Sequence, residues 1–146
     1  MAEAMQTTSW ARIALITCPA IVLLGSASGW LSNSGYSNGW FASLAKPGFM
    51  PPGWVFAAVW TTLYALMGLA LAFVWASPPN RARAAALRLF FAQLAVNYAW
   101  SPIFFGARMI EIGLLTILLM FGLAAATAWR FGRIRPLAGW LLLPYL

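Results

Sequence analysis

The chain has 146 residues, of which 63% are hydrophobic, 16% aromatic and only 8% charged, with a mean hydropathy of +0.81. Soluble domains run at about 45–50% apolar and about 25% charged residues, so this chain has too few polar groups to clothe a globule in water, and a bilayer is the solvent it fits. The net charge of +7 comes from nine Lys/Arg against Glu3 and Glu111. These basic residues sit at the ends of apolar runs, which is how membrane topology is written, and this argues against a nucleic-acid partner. With no His and a single cysteine, Cys18, the chain has no internal disulfide, and neither a metal site nor a Ser-His or Cys-His catalytic arrangement is expected.

A helix needs about 20 mainly apolar residues to cross the hydrocarbon layer. Four such runs occur, at about Trp10–Leu31, Gly53–Ala76, Ala85–Gly106 and Met109–Phe131, and a fifth apolar stretch opens near Leu137 but stops at Leu146. The expectation is an all-α polytopic helix bundle, a single membrane domain over 1–146 with the fifth helix missing or truncated. Arg12 before the run Ile13–Leu24 and the small residues Gly25-Ser26-Ala27-Ser28 after it give the first span a rival reading as a cleaved signal. Apolar length continuing through Trp30 and Leu31, Pro19 within the run and three further spans make an uncleaved helix the simpler account. Gly25 and Gly29 have the GxxxG spacing that lets membrane helices approach closely.

The connection Ser32–Pro52 is long, and Trp40, Phe41, Phe49 and Met50 make it too apolar for a solvated linker. Shaped by its glycines and prolines and carrying Lys46, it is expected to fold over the bundle mouth as a lid. In the third span Gln93, Asn97 and Trp100 recur at i, i+4 and i+7, within a sector of about 60° at ~100° per residue, and Phe104 continues the stripe. An unpaired amide facing lipid costs a few kcal/mol, so Gln93 and Asn97 are expected to point inward. Two readings stand there. The amides either stitch helices together, at ~0.6 kcal/mol on average, or orient a planar polar ligand beside the Trp100 ring. Ala92, Ala95 and Ala99 lie on another face and offer a small-residue surface for a neighbouring helix or a second subunit.

At the head of the fourth span Arg108 and Glu111 are spaced to pair. Glu111 sits near a boundary and Glu3 is expected outside the bilayer. No acid is then embedded where paired-carboxylate catalysis or a proton-coupled multidrug exporter would need one. Arg12, Arg81, Arg83, Arg88, Arg130, Arg133 and Arg135 fall on one side of this topology, and only Lys46 and Arg108 on the other, which predicts a cytoplasmic N-terminus. Trp10, Trp30, Trp54, Trp75, Trp129 and Trp140 fall near span ends, as interfacial anchors do.

Three motifs carry a resemblance. Lys46-Pro47, Pro51-Pro52-Gly53-Trp54-Val55-Phe56 and Trp60-Thr61-Thr62-Leu63-Tyr64-Ala65-Leu66-Met67-Gly68 resemble the stretch entering the second helix of the translocator protein (TspO/MBR, tryptophan-rich sensory protein) family. Gln93 to Arg108, QLAVNYAWSPIFFGAR, is similar to its third-helix signature, and Leu143-Pro144-Tyr145-Leu146 to the start of its fifth helix. The resemblance implies a five-helix bundle, often dimeric, with a ligand cavity closed by the loop after helix one. It implies binding of tetrapyrroles such as protoporphyrin, of sterols in some relatives and of benzodiazepine-site ligands, with no cofactor required. Carried over by position, Gln93, Asn97 and Trp100 match cavity-lining positions, and Phe49 and Pro51 match the loop and the start of helix two. Phe104 and Tyr145 complete the expected ligand set, with Trp40, Phe41 and Lys46 in the lid. Many relatives have Trp where this chain has Phe49, and that indole is implicated in porphyrin breakdown.

The expected function is therefore a membrane receptor or sensor for a planar hydrophobic ligand, with transport of the ligand as one outcome of binding. A membrane enzyme degrading porphyrin oxidatively and a small multidrug exporter are the alternatives. Phe49 weighs against the first and the lack of a buried acid against the second.

Overall fold

The computed structural model describes the backbone of residues 2–146 and the side chains from Ser9 onward, so the side chain of Glu3 lies outside the described residues. The elements are α1 (Ala2–Leu31), a short α2 (Gly39–Ser43), α3 (Gly53–Trp75), α4 (Arg81–Ser101), α5 (Ile110–Ile134) and α6 (Pro136–Leu142). A single π-turn, Pro102–Gly106, follows α4, and a 3₁₀ turn, Leu143–Tyr145, follows α6. The described residues are thus all-α and contain no strand. Ser9–Leu31 of α1, all of α3 and all of α5 are long and apolar enough to cross a membrane. The helix α4 is of similar length, but Arg81, Arg83, Arg88, Gln93 and Asn97 make it more polar.

Helix boundaries follow local chemistry. The start of α4 lies at Arg81, ahead of the expected Ala85, because Asn80 accepts a hydrogen bond from the Arg83 amide at 2.8 Å and so caps the first turn. At its far end Pro102 has no N–H to give the Tyr98 carbonyl. The Ser28 hydroxyl of α1 donates to that carbonyl instead, at 2.6 Å, and the chain relaxes into the π-turn closed by Ala107 N donating to Pro102 O at 2.8 Å. The helix α5 runs past Phe131 to Ile134 and stops at Arg135, which is extended (φ −139°, ψ 110°), as a residue before proline prefers. Pro136 then opens α6 at a position where its missing N–H costs nothing.

Close backbone contacts hold the helices together. A Cβ on Gly68 would lie 2.5 Å from the Cα of Cys18, so α3 meets α1 backbone to backbone, and Thr17 Oγ1 donates to the Gly68 carbonyl at 2.7 Å. The α5–α6 corner folds tightly because Gly139 faces Gly132, where a Cβ would come within 2.7 Å of Cα. Gly25 is also a contact point, but its neighbour is the Tyr64 ring, with which any Cβ would collide. Gly29, the other half of that GxxxG pair, meets only Ser34.

The core is Met67, Ala70, Leu71, Phe73 and Val74 of α3 against Phe90 of α4, Phe131 of α5 and Ala138 and Leu142 of α6. Phe90 and Phe131 stack with ring centres 5.5 Å apart and planes within 12°. Leu15, Leu24, Leu114, Leu118 and Phe121 are exposed, as side chains turned toward acyl chains are. Trp30, Trp54, Trp75, Trp129 and Trp140 are exposed near helix ends. Trp10 differs, packing on Phe73 with ring centres 4.6 Å apart. Among the described residues no ion pair joins Arg108 and Glu111. Arg108 takes a left-handed conformation (φ 59°) in the tight link between the π-turn and α5, and both residues are exposed.

Candidate functional site

Gln93 and Asn97 both turn inward, 0% and 5% exposed, as the cost of presenting amides to lipid demands. Their situations differ. Asn97 is engaged at both ends of its amide by two tyrosines: Tyr64 of α3 donates its hydroxyl to Asn97 Oδ1, and Asn97 Nδ2 donates to the Tyr145 hydroxyl, each at 2.7 Å. Three segments far apart in sequence are joined in this way, and Tyr145 is further held edge-on to Trp60 at 6.4 Å. Gln93 is one turn away and has no partner for either Oε1 or Nε2.

Trp100 extends the same face. Its ring is half-buried and stacks on Phe104 with centres 4.9 Å apart and planes within 9°, while its Nε1 is buried without an acceptor. That nitrogen lies against α5 at Gly113, where a Cβ would fall 3.7 Å from it and 3.1 Å from Phe104 Cδ2. Glycine is thus what lets the Trp100–Phe104 pair sit against α5. Three orphaned polar atoms therefore share one helix face. A buried unsatisfied donor or acceptor costs about 1–3 kcal/mol, which makes this the most polar-frustrated part of the bundle.

The connection after α1 covers this end. Asn38 caps α2 by accepting from Phe41 N at 3.1 Å, and its Nδ2 donates to Asn33 O at 3.0 Å. Gly35 supplies a φ of 112° in the turn before it, a conformation strained for other residues. The short helix so fixed sets Trp40 edge-on to Phe104 at 5.4 Å and Phe41 edge-on to Phe105 at 5.2 Å. Lys46 folds back to donate to the carbonyls of Phe41, Ala42 and Leu44 at 2.7, 3.1 and 3.0 Å, with its ammonium 4.9 Å from the Phe41 ring centre. Tyr36 donates to the Pro51 carbonyl at 2.6 Å and ties the two ends of the loop.

The structure thus gathers Gln93, Asn97, Trp100, Phe104 and Tyr145 inside the bundle, with Trp40 and Phe41 packed on Phe104 and Phe105 and Lys46 held within the loop itself. Pro51 stands at the loop's end, half-buried, and Phe49 points away, 87% exposed. Tyr64 and Gly113 were not among the expected site residues. The i, i+4 pair Trp60 and Tyr64 was a legible signal for the first, whereas nothing in the sequence marks Gly113 apart from other glycines. An open cleft of about 340 Å³ does exist, but Gln93, Asn97 and Trp100 do not line it. Beside Asn97 the nearest groups are the chain's own Tyr64 and Tyr145, and one face of Trp100 is covered by Phe104.

The fold and this face define a polytopic membrane bundle with an aromatic, loop-covered end and a polar interior stripe. Residues 16–146 match the TspO/MBR family, and the chain belongs to it. It is 41% identical to the translocator protein of Bos taurus over 136 residues, covering 88% of this chain and 80% of that one. It is 40% identical to the tryptophan-rich sensory protein of Cereibacter sphaeroides over 107 residues, 73% of this chain and 66% of that one. It is also 33% identical to protein CrtK of Rhodobacter capsulatus over 133 residues, 90% of this chain and 83% of that one.

Proposed function

We propose that this membrane protein is a receptor for a planar hydrophobic ligand, a tetrapyrrole such as protoporphyrin IX, bound along the Gln93–Asn97–Trp100 face beneath the lid. The single observation that carries this reading is the set of three buried, partnerless polar atoms, Gln93 Oε1 and Nε2 and Trp100 Nε1, on one helix face. A stripe that served only to join helices would be paired, as Asn97 is. Family membership supports the same reading, since relatives carry the names translocator protein and tryptophan-rich sensory protein.

The Trp100–Phe104 stack suggests how a flat ligand is admitted. A macrocycle replaces Phe104 on the Trp100 face, and the lid lifts as Trp40 and Phe41 release Phe104 and Phe105. Three aromatic contacts at about 0.5–1.5 kcal/mol each make that opening cost about 1.5–4.5 kcal/mol, below the ~8 kcal/mol of micromolar binding. The movement of the lid is then the signal, or the first step of passage. The arginine distribution favours a cytoplasmic N-terminus, with the lid on the opposite side.

Purified protein in detergent, titrated with protoporphyrin IX, is expected to show saturable quenching of tryptophan emission. Trp100→Ala is expected to weaken binding about tenfold or more, since it removes a stacking surface and a donor together. A Trp100→Ala protein that binds as tightly as wild type overturns the site.

A further inference from the structure

The cleft of about 340 Å³ lies at the end of the bundle away from the lid, where the α3–α4 connection meets the α5–α6 corner, and its lining includes Ser77, Asn80, Ala82, Arg133 and Arg135. We propose that it holds the phosphate-bearing headgroup of an anionic phospholipid. This is a second site, independent of the tetrapyrrole reading.

The arginines are held ready for an oxyanion. Arg135 places its guanidinium carbon 5.1 Å from the Phe73 ring centre, and Arg133 places its own 5.3 Å from that of Trp129. An aromatic face orients a guanidinium without consuming its N–H groups, which stay free for the paired contacts that phosphate oxygens accept. Arg83 closes the rim by donating to the Ser77 carbonyl at 2.7 Å. Asn80 uses its Oδ1 on the Arg83 amide and so leaves its Nδ2 to donate. Among the described residues no Asp or Glu lines the cleft, and Glu111 is at the opposite end of α5.

Position favours a lipid over a free ion. At about 340 Å³ the open cleft has room for a headgroup with its glycerol. Trp75, Trp129 and Trp140 are exposed at this end, which sets the cleft at the level where indoles meet headgroups. Leu137 is exposed beside Pro136 at this same end of the bundle. Basic recesses between membrane helices on the cytoplasmic side take anionic headgroups on the same electrostatic grounds.

The test is native mass spectrometry of the delipidated protein given equal phosphatidylglycerol and phosphatidylcholine of the same chains. One phosphatidylglycerol per chain is expected to be retained with about a tenfold preference. The preference is expected to vanish in the double variant Arg133→Gln, Arg135→Gln and to persist in Arg88→Gln, whose side chain lies outside the cleft. Should the double variant fail to fold, Ala82→Glu places a carboxylate in the cleft and is expected to abolish retention on its own. Equal retention of phosphatidylcholine, or retention unchanged in both cleft variants, overturns the site. Displacement of the lipid by inorganic phosphate at matching concentration overturns the lipid assignment in favour of a soluble anion.

Discussion

Along α3 the side chains from Met67 to Val74 are almost all buried, whereas Trp54, Phe56 and Val59, toward the lid, are substantially exposed. The partner helix repeats the contrast. Ala86 and Phe90 of α4 enter an apolar core, and Gln93, Asn97 and Trp100 bring polar atoms inside, some of them unpaired. One end of the bundle therefore carries the close-packed apolar core, and the other carries the unmet hydrogen bonds. Sites that must open or accept a ligand are drawn from the less stable parts of a protein, and the lidded end has that character.

The sharpest way to break the comparison is at the packed end. Phe90→Ala removes one ring of the Phe90–Phe131 stack at a fully buried position, and is expected to cost about 3–5 kcal/mol. Thermal unfolding in detergent followed by circular dichroism checks this. Trp40→Ala, on the lid, is expected to lower the unfolding temperature far less. Equal losses from the two variants would show that both ends unfold as one unit.

A second measurement sharpens the contrast because its two readouts move in opposite directions. Gln93→Leu keeps nearly the same volume and removes two unsatisfied polar groups, so stability is expected to rise by about 1–3 kcal/mol. Protoporphyrin affinity is expected to fall at the same time. A residue that joined helices through hydrogen bonds would lose stability on this substitution, and one with no role in binding would leave affinity unchanged. Thermal unfolding and fluorescence titration of the same preparation separate these outcomes.

Much of this was readable in the chain. Apolar run lengths gave the long helices, and the 3.6-residue period placed Gln93, Asn97 and Trp100 inward, because the penalty for an amide in lipid leaves little choice. The start of α4 is encoded by Pro78-Pro79-Asn80, whose asparagine is a capping residue, but the apolar-run criterion passed over Arg81 and Arg83 and opened the span at Ala85 instead. What could not be read was which segment each inward group meets. That Asn97 bonds Tyr64 and Tyr145 while Gln93 bonds nothing depends on the relative heights of α3, α4 and the chain's end. The Gly68–Cys18 and Gly132–Gly139 contacts, which fix α3 against α1 and α6 against α5, belong to that arrangement, and sequence spacing does not report them. Phe49 shows the converse limit: its place in a motif suggested a ligand contact, and the loop's turn chemistry points it outward.

The smallest effect is expected at the lid. Lys46 donates to three carbonyls at the end of α2, but it is only half-buried and its partners all lie within the same loop. Lys46→Met keeps the apolar stem over Phe41 and removes the donors. Each lost bond costs no more than about 1 kcal/mol where water can replace it, and the cost falls on the closed lid, not on the core. Hydrogen exchange at residues 39–46 is therefore expected to speed up several-fold with the unfolding temperature nearly unchanged. Protoporphyrin should associate faster as well, because a lid that opens more often admits the ligand more often. If Lys46→Met instead lowered the unfolding temperature as far as Phe90→Ala, the lid would belong to the cooperative core, and the division of the bundle into a rigid and an adjustable end would fail.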